Sequence, residues 1–135
     1  MRFDLPTPDP TTDEFWIAAR EGKLLIKRCA TCHRAHFYPR PFCPHCWSEK
    51  VDWEEASGLA RLYTWSVVYA NDLPPFADRV PYVAAIVELV EGPRMMTNVV
   101  DCDFDDLRAG MALKVTFKEE TEGIALPLFQ PTDQR

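Results

Sequence analysis

Four cysteines in two Cys-x-x-Cys pairs constrain this chain more than any other feature: Cys29 with Cys32, and Cys43 with Cys46. Each pair bends the backbone so that two sulfurs converge on one ion, and the ten residues between the pairs let the second knuckle face the first. Four thiolates at about 2.3 Å suit a tetrahedral ion. Zn²⁺ fits such a cage and so does iron, so spacing alone leaves the metal open. Four thiolates also fill the tetrahedron, which leaves no position for water or substrate, so the ion is expected to be structural. Disulfides compete weakly. No apolar export signal precedes the pairs, and redox Cys-x-x-Cys motifs come singly, near a βαβ pattern that this chain lacks. His33 and His45 lie inside the knuckles and His36 nearby; with four thiols available they read as surface groups or as hydrogen-bond partners of the sulfurs.

The rest of the chain arranges itself around this cluster. Residues 1–10 hold three prolines and read as an extended arm. TTDEFWIAAREGKL then predicts a helix over about Thr12 to Glu21. Thr11 and Glu14 have capping-box spacing, and Asp13 and Glu14 suit the positive end of the helix dipole. Phe15, Ala18 and Ala19 form an apolar stripe that Trp16 and Ile17 widen, and Gly22 is the stop. Residues 23–53 carry the paired cysteines, all three histidines and little aliphatic periodicity, so the metal must act as their staple.

From residue 58 the pattern turns β. LARLYTWSVVYA, PYVAAIVELVE, RMMTNVVD, ALKVTFKEE and IALPLF read as five strands, the last demoted at its end by Pro127. DFDDLRAGM, between the third and fourth, reads as a helical turn ended by Gly110. Five strands with a helical element there suggest an OB-type barrel. The expected organisation is mainly β: arm and helix over 1–22, a metal-stapled segment over 23–56 and barrel over 57–135.

Charge and residue supply narrow the function. Fifteen Lys and Arg against 21 Asp and Glu give a net charge of −6, which opposes nucleic-acid binding. No apolar run approaches the roughly 20 residues of a membrane span, and the cytoplasm is the expected compartment. No Gly-x-Ser-x-Gly or Gly-rich phosphate loop exists, and every histidine sits in the metal segment. Asp101, Asp103, Asp105 and Asp106 lack the calcium-loop pattern and read as a solvated turn. Cys102, in that acidic stretch, reads as a half-buried residue rather than a nucleophile. The aromatics are the other resource. Phe37, Tyr38, Phe42, Trp47 and Trp53 flank the knuckles, Tyr63, Trp65 and Tyr69 alternate along one strand, and Phe76 tops the Pro-rich loop. They either fill the small core or form an exposed patch for a partner or an apolar ligand. Base stacking on the strand is disfavoured, because Arg61 is its only cation between Gly58 and Ala70.

Several ordered blocks resemble a known family. DEFW, LLIKRCATCHRAHFYPRPFCPHC, SGLARLYTWSVV, VPYVAAIVELVEGPRMMTNVVD, DLRAGMALKVTFKEE and LPLFQP together are similar to the DUF35 family of small proteins, which join a rubredoxin-like zinc ribbon to an OB-fold. Both knuckles and the Tyr38-Pro39-Arg40 between them stand as the family has them. The resemblance implies an N-terminal helix, a rubredoxin-like zinc ribbon with Cys29, Cys32, Cys43 and Cys46 as ligands, and a five-stranded OB-fold barrel. An arm and helix at the start imply a complete family unit. It also implies a role as accessory subunit to a thiolase-like enzyme: a thiolase, an acyltransferase, a hydroxymethylglutaryl-CoA synthase or a lipid-transfer-protein-like aldolase, including those of steroid side-chain breakdown. The catalytic residues would belong to that partner, and this chain would stabilise it and shape the CoA-thioester path.

On that reading the interface is expected at Phe15 and Trp16 of the helix, at Arg40, Phe42 and Trp47 on the knuckle rim, and at Phe76. CoA phosphates would need cations, for which Arg28, Arg34, Arg40 and Arg79 are the candidates. Two other classes compete: a stand-alone acyl-CoA-binding protein, and a nucleic-acid-binding zinc-ribbon and OB module, the latter resting on fold analogy alone.

Overall fold

A computed structural model describes residues 9–70, 80–120 and 124–132. The expectations for Phe76 and Arg79 lie outside the described residues. Among those described, no helix is long and apolar enough to cross a membrane.

The helix, α1, runs Asp13–Arg20 with Thr12 at its N-cap. The expected capping box between Thr11 and Glu14 does not form. Asp9 organises the preceding turn instead: its Oδ1 accepts the amides of Thr11 and Thr12 at 2.9 and 3.0 Å, and its own N–H donates to Thr12 Oγ1 at 3.1 Å. Its C=O accepts the amide of Asp13, the first helical residue, at 2.8 Å. The other end closes as a Schellman motif: Gly22 N–H reaches Ala19 O and Lys23 N–H reaches Ala18 O, with Gly22 at φ 81°. Phe15, Trp16, Ala18 and Ala19 are buried, as the stripe predicts, while Ile17 points to solvent.

Three short strands follow: β1 Leu25–Cys29, β2 Ala35–His36 and β3 Val51–Glu55. They make an antiparallel sheet in the order β2-β1-β3. Being central, β1 buries Ile26 and also Lys27. A buried ammonium needs partners. Lys27 Nζ donates to Arg40 O at 3.2 Å and lies 4.6 Å from the Trp53 ring centre. Across the same sheet Arg28 grips Glu54 through two bonds of 2.8 and 3.0 Å.

The barrel strands are β4 Leu59–Val68, β5 Tyr82–Leu89, β6 Arg94–Val99, β7 Ala112–Glu119 and β8 Ala125–Pro131. They close in the order β4-β5-β6-β8-β7, with β4 also paired to β7. All pairs are antiparallel except β6 with β8, which meet in parallel at Val99 and Phe129. A single 3-10 turn, Phe104–Asp106, stands between β6 and β7, and Gly110 has φ 83°. Strand alternation fills the interior: Val83, Ala85, Val87 and Leu89 point inward from β5, Leu113 from β7 and Phe129 from β8. Phe15, Leu24 and Ile26 belong to the same cluster, so helix, ribbon and barrel share one core.

Two details differ from the sequence pattern. Pro127 does not end its strand; β8 continues to Pro131. Phe129 C=O points at β6, where it accepts from Val100 N–H. Residues two apart in a strand point the same way, so the N–H that Pro127 lacks would face β6, and the pairing between β6 and β8 is registered only at Val99 and Phe129. Thr97 Oγ1 covers Pro127 C=O at 2.9 Å. The second detail is a bulge in β4. Leu62 pairs with Val87 and Thr64 with Ile86, so Tyr63 has no opposite residue. The bulge breaks the expected common face. Trp65 packs on the core, Tyr63 turns outward beneath the Arg94 guanidinium at 3.8 Å, and Tyr69 lies beyond the strand end.

Candidate metal centre

Cys29 ends β1, Cys32 follows one turn later, and Cys43 and Cys46 lie on the excursion between β2 and β3. The two knuckles repeat one backbone design. In the first, Cys29 C=O accepts His33 N–H at 3.0 Å and Cys29 N–H donates to Arg34 C=O at 2.9 Å. In the second, Cys43 C=O accepts Trp47 N–H and Cys43 N–H donates to Ser48 C=O, both at 2.8 Å. The residue after each second cysteine takes the left-handed region: φ is 64° at His33 and 67° at Trp47.

The four Sγ atoms all lie within 4.8 Å of one another. Cys29 and Cys46 are 3.5 Å apart and Cys32 and Cys43 are 3.6 Å apart. A tetrahedron with bonds of about 2.3 Å has edges of about 3.8 Å. The sulfurs therefore fit a zinc-sized ion without rearrangement. Cys29 and Cys43 are fully buried. Backbone amides are aimed at the sulfurs, as thiolates require: Thr31 and Cys32 donate to Cys29 Sγ at 3.3 and 3.4 Å, and His45 donates to Cys43 Sγ at 3.3 Å. The amide of Cys32, with that of Thr31, holds the Cys29 thiol down to about 6 against the opposing effect of burial. At Cys46 the Ser48 amide acts in the same direction, but burial and the three neighbouring sulfurs push the thiol up to about 12. The Cys29 thiolate is favoured and a second charge at Cys46 is opposed; a dication between the sulfurs removes that conflict.

The histidines divide. His33 and His45 are exposed on the knuckles. His36 is not a surface group: it is 4% exposed and neither ring nitrogen has a hydrogen-bond partner. It sits on β2 opposite Lys27. Burial first, then the charges of Lys27, His45 and Arg40, lower its pKa, so the ring is held neutral.

The candidate cations separate as well. Arg28 and Arg34 line one cleft of about 530 Å³ between ribbon and barrel, together with Arg94, His45, Glu88 and Glu91. Arg28 is committed to Glu54 and donates to His33 C=O at 2.7 Å. Arg34 reaches the second knuckle, 3.5 Å from His45 Nδ1. Arg40 is exposed and is not among the residues lining this cleft.

Of the expected interface aromatics, Phe15 and Trp16 are internal. They are 1% and 7% exposed: Phe15 packs tilted on Phe37 and edge-on to Tyr38, and Trp16 packs tilted on Tyr38, because the helix uses them to dock on the ribbon. Phe42 and Trp47 remain at the rim, stacked at 5.2 Å with planes 9° apart. Cys102 is half-buried, and burial followed by Asp106 and Asp103 raises its pKa, which disfavours a thiolate. The left-handed positions at His33 and Trp47 were the feature that residue-type reasoning missed. Aligning the two Cys-x-x-Cys units on each other would have superposed them.

Residues 16–52 match a family described as the rubredoxin-like zinc ribbon domain of ChsH2, and residues 53–118 match the C-terminal OB-fold domain of ChsH2. A probable enoyl-CoA hydratase alpha subunit of Thermomonospora curvata is 38% identical over 128 residues, 93% of this chain. The chain spans only 40% of that relative's length. A DUF35 domain-containing scaffold protein of Methanocaldococcus jannaschii is 37% identical over 110 residues, covering 79% of this chain and 77% of the relative. Among solved structures, a chain of an Ltp2-ChsH2(DUF35) aldolase superposes with a TM-score of 0.81 at 35% identity, over 94% of this chain and 98% of that one.

Proposed function

We propose that this chain, which belongs to the DUF35 family, is a non-catalytic accessory subunit of a thiolase-like enzyme acting on CoA thioesters. One observation carries the reading: nearly the whole chain has the shape of nearly the whole of a chain from an aldolase assembly named for two components, at a TM-score of 0.81. The name of the Thermomonospora relative supports a CoA thioester as the substrate, since it is that of a probable enoyl-CoA hydratase subunit. Aldolase, thiolase and acyltransferase partners all fit, and a steroid side-chain aldolase is one specific form of the first.

In this role residues 1–22, 23–56 and 57–135 act as arm with helix, ribbon and barrel. Zinc on Cys29, Cys32, Cys43 and Cys46 is a structural staple: it holds two knuckles that have little core of their own. The CoA thioester would bind to the complex, with its phosphates nearest the ribbon–barrel cleft. Arg34 is the cation best disposed there, because Arg28 is already paired with Glu54.

Affinity capture of the tagged chain from its native lysate, with mass spectrometry of what stays bound, tests the reading. A thiolase-fold chain in stoichiometric amount is the expected result. Recovery of the chain alone, binding CoA thioesters by itself, would favour a free-standing acyl-CoA-binding protein instead.

A further inference from the structure

We infer that the tip of the second knuckle, the stacked pair Phe42 and Trp47, anchors this chain in an apolar pocket with an acidic rim on its catalytic partner. The inference rests on the accessory-subunit reading and specifies where that contact is made.

Trp47 is 73% exposed, although it is one of the largest apolar side chains in the molecule. It also stands at φ 67°, a region that glycine enters freely and a bulky side chain enters at a cost. The metal cage makes no use of the indole. The knuckle closes through the backbone groups of Cys43, Trp47 and Ser48, and the sulfurs accept backbone amides. Glycine would satisfy every one of these contacts. The side chain is therefore retained in a strained position for something outside the fold. Its stacking on half-buried Phe42 fixes the ring and leaves its other face to solvent. A preorganised aromatic loses little entropy on docking, and tryptophan and arginine dominate interface hot spots.

The surroundings say what kind of surface fits. Arg40 and Lys50 are exposed along the same segment, against one acid, Glu49. A basic rim on a chain of net charge −6 is a local reversal of sign, and it complements an acidic surface. A nucleic-acid strand is the less suitable occupant: one indole face offers a single stacking site, and the two exposed cations of the segment, Arg40 and Lys50, are too few to track a phosphate backbone.

The test uses the thiolase-fold subunit captured and identified as above, purified and titrated with the zinc-loaded full chain. For Trp47→Gly the expected result is full zinc content and a melting temperature equal to or above that of the unsubstituted chain, with binding at least about 30-fold weaker. Binding within about twofold of the unsubstituted chain would overturn the anchor and leave the accessory reading standing. Hydroxyl-radical footprinting of the unsubstituted complex is independent of any variant: protection of Trp47 on complex formation is expected, and unchanged reactivity would overturn the inference. Capture of no thiolase-fold chain would remove the accessory reading and the anchor together. Capture of salt-releasable single-stranded nucleic acid at the knuckle instead would assign the tip to the other class and overturn the anchor.

Discussion

Trp16 donates its indole N–H to the Tyr38 hydroxyl at 2.9 Å, joining residues 22 apart in the chain. The bond ties the helix to the loop that leads into the second knuckle. The rings of Phe15 and Phe37 complete the contact, each 5.4 Å from that of Tyr38. Helix and ribbon are thus one packed unit. An eight-residue helix has no stability of its own and exists here through this docking.

Tyr38→Phe keeps the ring and removes the acceptor. Trp16 then loses the acceptor of a part-buried bond, which costs about 0.5–1.5 kcal/mol. A lower urea midpoint with an unchanged slope is the expected observation.

Cys43→Ser removes one of the two fully buried sulfurs. Zinc content is expected to fall from about one ion per chain to near zero, and the ribbon to unfold with it, because ion binding and folding of such a segment are the same equilibrium. Zinc analysis with circular dichroism of the purified variant reads both. Chelation of the unsubstituted protein should reproduce the effect, and a folded, zinc-loaded variant would count against the four-cysteine site.

Gly58 stands at the junction of ribbon and barrel with φ 84°, and a Cβ there would come within 2.6 Å of Val115 Cγ1. Gly58→Ala therefore combines a left-handed backbone penalty with a clash, and should cost about 2 kcal/mol or more. Adding Val115→Ala relieves the clash and leaves the backbone penalty. Thermal melts of the single and double variants should show the loss from Gly58→Ala shrinking when Val115→Ala is already present.

His36 gives the stability a pH dependence. Its folded pKa lies below its ordinary value of 6.5, because burial and then Lys27, His45 and Arg40 oppose the charged ring. The unfolded chain therefore takes up a proton near pH 6.5 that the folded chain refuses. The favourable contribution is complete above that value and is lost as pH falls toward the folded pKa. Comparing melts of the unsubstituted chain and His36→Leu between about pH 7.5 and 5.5 isolates this group from the acid sensitivity of the thiolates. The unsubstituted chain should lose more stability across that window; parallel curves would show that His36 is not responsible.

The fold was legible where the sequence signal is local and repetitive. Cys-x-x-Cys spacing gathers sulfurs regardless of what surrounds them. Alternation in ALKVTFKEE marks one inward face, apolar and β-branched runs such as PYVAAIVELVE mark the other strands, and the five strands lie where these patterns put them. What stayed hidden depends on partners distant in sequence. Pro127 demotes its strand in the sequence, and only the pairing shows which side is spared: β8 keeps its ladder with β7 and meets β6 in register only at Val99 and Phe129. Tyr63 and Trp65 read as one face until pairing with β5 shows the bulge. Phe15 and Trp16 look like free interface aromatics until Phe37 and Tyr38 are seen to cover them. His36 looks like a wet knuckle histidine, because nothing in its neighbourhood along the chain says that β1 will bury it.

The proposed role makes this chain necessary to a reaction that it does not perform, and turnover of a CoA thioester by three samples tests this: this chain alone, the captured catalytic chain alone, and the two together. No turnover from this chain, weak or unstable activity from its partner, and full activity from the mixture are expected. Turnover by this chain alone, or a partner fully active and stable without it, would rule the accessory role out.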